Sequence, residues 1–164
     1  MNKLLIFGGS FNPPHVGHTE ALFQAARGFS RAIVFPVYQH PYGKSLVSFE
    51  HRMAMCKLAF DNIEVSDIEK ILTEKTKQKV YSYDVVMYLR QQGIMDDIHL
   101  LVGEDVVHDL PNWHKYPDLI KEVTLFPVKR SSISSTRIRK DFENHKHYLL
   151  PAVLKYIKEN NLYV

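Results

Sequence analysis

Apolar residues along this chain follow two alternating rhythms. Short unbroken runs such as Leu4-Leu5-Ile6-Phe7, "AIVFPV" and "HLLV" are separated by longer stretches in which apolar positions recur every three or four residues. An unbroken run predicts a strand buried on both faces, and the spaced pattern predicts an amphipathic helix. The chain therefore opens with a strand over 3–8 and a helix over about 17–27. A second strand, Arg31–Val37, leads through a loop with Pro41 and Gly43 to a helix from Ser48 to about Phe60, with Ser48 as its cap. "IEVS" is a short third strand, while the polar stretch Asp67–Lys79 fits neither period. Val85, Val86, Tyr88 and Leu89 predict a helix over Tyr81–Gln92 that Gly93 ends.

Asp97–Gly103 and Glu122–Val128 are the last two predicted strands. Between them, "EDVVHDLPNWHKYPDLI" predicts two short helices broken at Pro111 and Pro117. Ser134 or Ser135 caps a helix beginning "TRIRKDF", and Val153, Leu154 and Ile157 give an amphipathic helix after Pro151. Strands alternating with helices build βαβ units, hence an α/β fold with a mostly parallel sheet and helices on both faces. In such sheets ligands sit beyond the carboxyl ends of the strands, near the point where strand order reverses.

Composition narrows the classes. At 164 residues the chain is expected to form a single domain over 1–164. Cys56 is its one cysteine, which rules out an intrachain disulfide and a cysteine-built zinc site and points to a reducing, cytoplasmic setting. No apolar run approaches a membrane span, and Met1-Asn2-Lys3 leads straight into a strand, so neither membrane nor secretion is expected. A formal charge of +3 is too mild to imply a nucleic-acid partner. One denser basic cluster, Lys129, Arg130, Arg137, Arg139 and Lys140, is either a solvated face or, among its serines, a site for a small anion.

The chemistry concentrates in "GGSFNPPHVGH", Gly8–His18, between the first strand and the first helix. Gly8 and Gly9 let backbone approach a ligand, Ser10 offers a hydroxyl, and a helix N-terminus favours anions. His15 and His18, three apart at that helix start, can turn their rings to one side as donors for phosphoryl oxygens. Metal ligation would need a third ligand, and no cluster with such spacing is present, so no metal site is assigned.

This loop resembles the signature of the nucleotidyltransferase superfamily, in the form carried by nicotinate-nucleotide adenylyltransferases. "ISSTRIR" (Ile133–Arg139) resembles the second signature, in the right order and also at a strand-to-helix junction. The likeness extends through "PVYQHPYGKSLVSFEHRMAMCKLAF", "YSYDVV", "LLVGEDVVHDLPNWHKYPDLI" and "YLLPAVLKYIKENNLY". It implies a doubly wound, five-stranded Rossmann-like sheet of order 3-2-1-4-5. It implies an enzyme that joins the AMP moiety of ATP to nicotinate or nicotinamide mononucleotide and releases pyrophosphate, with Mg²⁺ accompanying ATP. By position, His15, His18 and Arg139 would be the catalytic groups. Gly8, Gly9, Ser10, Phe11, Gly103, Asp105, Ser134, Ser135, Thr136 and Arg139 would bind ATP, while Lys44, Tyr83, Asp84 and Trp113 would meet the pyridine mononucleotide. A homo-oligomer is left open.

Three departures stand out from the resemblance. The stretch before "ISSTRIR" is short, the G-A-D turn is Gly103-Glu104-Asp105, and S-Y-T is Ser82-Tyr83-Asp84. An ionised Asp84 would repel a nicotinate carboxylate and accept from a nicotinamide amide; its other reading is a helix cap. The rival readings are phosphopantetheine adenylyltransferase and a catalytically silent nucleotide-binding regulator.

Overall fold

A computed structural model describes residues 1–39 and 46–163. The apolar runs become β1 (Lys3–Gly9), β2 (Arg31–Pro36), β3 (Glu64–Val65), β4 (Asp97–Gly103) and β5 (Val123–Val128). They pair in the order β3-β2-β1-β4-β5, and every neighbouring pair is parallel. The helices are α1 (Val16–Ala26), α2 (Phe49–Ala59), α3 (Ile68–Thr76), α4 (Ser82–Gln91), α5 (Tyr116–Glu122), α6 (Ser135–Lys140), α7 (Phe142–His145) and α8 (Pro151–Glu159). This is the doubly wound architecture that the resemblance implies.

The period-two alternation along each strand divides the core. Leu4 and Ile6 pack with Ile33, Ile98 and Leu100 beneath α3, α4 and α5, which contribute Ile68, Val85, Leu89 and Leu119. Leu5 points the other way and joins Val34 and Leu101 beneath α1, α2, α6 and α8, with Leu22, Met55, Ile138 and Val153. Both faces of β1 are sealed, and Leu4, Leu5 and Ile6 are fully buried. That explains an unbroken apolar run rather than an alternating one.

The structure departs from the sequence pattern in three places. Asp67–Lys79 contains a helix, α3, whose periodicity is hidden because a carboxylate, Glu69, takes one of its two buried positions. Pro111 does not break the helix before it; it closes a 3₁₀ segment, Glu104–Asn112, where its missing N–H does no harm. Pro117 lies in the first turn of α5, where a missing N–H leaves no bond unmade. Finally, "TRIRKDF" is not one helix: Asp141 adopts φ −144° and separates α6 from α7.

After β1 the chain moves to β2 and β3, then crosses back to β4 on the other side. The carboxyl ends of β1 and β4, at Gly8-Gly9 and Gly103, therefore flank the reversal point. No helix among the described residues is long and apolar enough to cross a membrane.

Candidate active site

The loop leaving β1 is anchored by Phe11, which is 2% exposed and set edge-on against Phe7, Phe60 and His18 at ring distances of 5.3, 5.5 and 5.0 Å. Its φ of 48° is one that a bulky residue holds only when its surroundings fix it. Two glycines are explained by what lies against them. A Cβ on Gly8 would collide with the Phe35 ring. One on Gly17 would lie 2.5 Å from Ser131 Oγ and 2.9 Å from His15 Cε1.

His15 is the N-cap of α1. Its Nδ1 accepts from Gly17 N–H at 3.1 Å, and His18 Nδ1 accepts from His15 N–H at 3.1 Å. These two bonds fix both tautomers, because a ring nitrogen that accepts cannot carry the proton. Each imidazole therefore carries its proton on Nε2. The rings stack with centroids 3.7 Å apart and planes 20° from parallel. Burial, reinforced by the Arg130 charge, pulls the His15 pKa down to about 4. Burial, then His15 and Arg130, holds His18 well below the ordinary histidine value. The pair is neutral at pH 7 and offers two Nε2–H donors.

The second motif folds back onto the first. Ser134 Oγ accepts from Arg137 N–H at 3.4 Å, capping α6. Ser135 Oγ donates to the Pro13 carbonyl at 2.8 Å, and Arg139 Nη1 donates to the Asn12 carbonyl at 2.7 Å. Arg139 Nη2 reaches Thr136 Oγ1 at 3.4 Å. Between the motifs lies a cavity of about 330 Å³. It is lined by Gly8, Gly9, Ser10 and Phe11, by His15 and His18, and by Ser134, Ser135, Thr136 and Arg139. Gly103 enters it from the end of β4 and Asp105 from the 3₁₀ segment that follows, where Asp105 pairs with Arg130 at 2.6 Å across the rim. The structure thus brings together all twelve residues assigned from sequence to catalysis and to ATP.

The acceptor set is more scattered. A second cavity, about 440 Å³, holds Trp113 with Phe35, Tyr81 and Ser82. It shares Gly8, Gly9 and Ser10 with the first, so the glycine loop is the seam between the two. Tyr83 instead lies under Lys115, 5.1 Å from its ring centre to the ammonium. Asp84 Oδ2 accepts from Tyr81 N–H at 2.9 Å at the start of α4 and borders a neighbouring surface groove. Lys44 lies outside the described residues.

Three residues of the site escaped the motif reading. Arg52 is 1% exposed, and its guanidinium donates to four carbonyls. These are Ser10 at 3.1 Å, Val37, Tyr38 at 3.1 Å and Val47 at 2.8 Å. It ties the loop after β1 to both stems of the loop that follows β2. A signal for it existed, since Phe49, Arg52, Met55, Cys56 and Ala59 form the buried stripe of α2. Asn12 is a second hub: its Oδ1 accepts from Tyr163 Oη at 2.5 Å and from Val47 N–H at 3.4 Å. The third is Glu69, buried in the wall of the Trp113 cavity.

Comparison with known proteins agrees with this geometry. A cytidylyltransferase-like family model matches residues 6–146. A nicotinate-nucleotide adenylyltransferase of Bacillus subtilis is 32% identical over 190 aligned positions that cover 99% of each chain. Two solved structures of a Plasmodium falciparum nicotinic acid mononucleotide adenylyltransferase, one complexed with NaAD and one with APC, superpose with TM-scores of 0.79 and 0.76. They are 19% and 18% identical, cover 99% of this chain and 98% of their own, and so speak to the fold. Two motifs that line one cavity at the reversal point of a 3-2-1-4-5 sheet, together with a full-length relative of this identity, place the chain in the nicotinate-nucleotide adenylyltransferase family of cytidylyltransferase-like nucleotidyltransferases.

Proposed function

We propose that this protein transfers the adenylyl group of ATP to the 5′-phosphate of nicotinate or nicotinamide mononucleotide, giving the corresponding dinucleotide and pyrophosphate. The observation that carries this is the pair of cavities meeting at Gly8–Ser10, one lined by phosphate donors and the other by Trp113. ATP would occupy the first, with its α-phosphorus near the seam, and the pyridine mononucleotide the second.

The acceptor phosphate is already a competent nucleophile at pH 7, so the protein's work is positioning and charge stabilisation. His15 and His18 would donate Nε2–H to the phosphoryl oxygens as negative charge moves onto the leaving pyrophosphate. Because both are neutral, these donors need no proton uptake first. Arg139, fixed through Asn12 and Thr136, would hold the β- and γ-phosphates together with the serine hydroxyls. Trp113 would stack on the pyridine ring.

Mg²⁺ is read as part of the ATP substrate. Hard phosphate oxygens suit it, and among the described residues no group of three His, Cys, Asp or Glu could hold a metal. When bound, it neutralises phosphate charge. A single buried cysteine, Cys56, whose thiol pKa burial pushes up, suits the cytoplasm.

The test is pyrophosphate release from ATP and Mg²⁺ with nicotinate mononucleotide, nicotinamide mononucleotide and 4′-phosphopantetheine in parallel. Release with a pyridine mononucleotide is the expected result. Release with phosphopantetheine alone would move the assignment to that acceptor, and ATP binding without turnover would make the protein a regulator.

A further inference from the structure

Glu69 sits in the first turn of α3 and is 5% exposed, yet its carboxyl forms part of the wall of the Trp113 cavity. Among the described residues its one hydrogen bond is long, from Tyr38 N–H to Oε1 at 3.3 Å. Arg52 is the nearby cation, but four of its five N–H donors are committed to the carbonyls of Ser10, Val37, Tyr38 and Val47. Glu69 lines the cavity itself, so a ligand seated there lies against its carboxyl. The walls around it are Phe35, Val37, Val80, Tyr81 and Trp113. Such a lining suits a flat aromatic ring better than a ribose. A buried carboxyl held by one long hydrogen bond is costly, and a ligand that adds to its hydrogen bonding would offset that cost.

We propose that Glu69 is a specificity-determining residue that hydrogen-bonds the ring substituent of the pyridine mononucleotide, donating its O–H to the carboxylate or carboxamide oxygen. The inference rests on reading this cavity as the acceptor site. Burial pushes the Glu69 pKa up to about 8, so the acid is neutral at pH 7 and serves as a donor. Arg52 on α2 and the Tyr38 amide act against that shift and Asp84 on α4 adds to it; Tyr81, Asp109 and His114 line the same cavity. A neutral Glu69 favours nicotinate, whose carboxylate is the stronger acceptor, and an ionised Glu69 repels it.

The test compares kcat/KM for nicotinate and nicotinamide mononucleotides in wild type, Glu69→Gln and Glu69→Met. Gln still accepts from Tyr38 and donates through N–H, so the acid-to-amide ratio at pH 7 should stay within about threefold of wild type. Met removes the donor, and the ratio should fall by about tenfold or more while the KM for ATP holds. In wild type the ratio should fall as pH rises through about 8, and in Glu69→Gln it should not. Should Met fold poorly, the Gln pH profile decides alone. A ratio that is unchanged by both variants and flat with pH in wild type would overturn the proposal, even if both KM values rise together. Wild-type inactivity with either mononucleotide would overturn the reading of the site, and the inference with it.

Discussion

The histidine pair shows how much chemistry one residue's surroundings decide. "HVGH" announces two imidazoles at a helix start, but it does not say which nitrogen holds the proton. That is set by two backbone N–H groups and by a glycine with no side chain between the ring and Ser131. The depressed pKa values have a defined consequence for stability. Between about pH 4 and 6.5 the unfolded His15 binds a proton that the folded one does not, so stability is full above that window and declines as pH falls through it. The decline is about 3 kcal/mol for His15. His15→Asn keeps a capping oxygen without the titration, so its melting temperature should depend less on pH than wild type across this range. Above about pH 7, where the substrate phosphates are also fully ionised, kcat/KM for ATP in wild type should stay flat, because neither histidine titrates there. His18→Ala should lower kcat by about two orders of magnitude at pH 7.

At the level of the element, α4 and α2 contrast two fates of a polar residue in a helix. Asp84 stands at the third position of α4, where its carboxylate closes the open Tyr81 N–H. Asp84→Ala should therefore lower stability by about 1 kcal/mol in a thermal melt and leave the acid-to-amide ratio of the two mononucleotides unchanged. That cap was legible in sequence, because its helix start and carboxylate are local. Arg52 was legible only as a misfit, a charge on an apolar stripe. Its partners come from two loops that no local pattern brings together. α3 was hidden for the same reason, since the carboxyl of Glu69 occupies a buried position where periodicity expects an apolar side chain.

For the whole molecule, the sheet order followed from family resemblance alone, and the twelve residues expected to serve catalysis and ATP converged because both motifs follow strands at the carboxyl edge of the sheet. What sequence could not supply was the bracing between them. Arg52 spans Ser10, Val37, Tyr38 and Val47, so one guanidinium sets the distance between the loop after β1 and the loop after β2. Arg52→Lys keeps the charge but cannot reach four carbonyls, and should cost about 3 kcal/mol. In a chain of this size that is roughly 10 °C in melting temperature. The KM values for ATP and mononucleotide should rise together; a rise in only one would mean that the bracing does not couple the two. Trp113 adds a different consequence. It is the chain's sole tryptophan, and it lies in the wall of the cavity proposed to take the acceptor. Its fluorescence is therefore an optical reporter that needs no label, and emission should quench on titration with a pyridine mononucleotide and stay level with ATP alone.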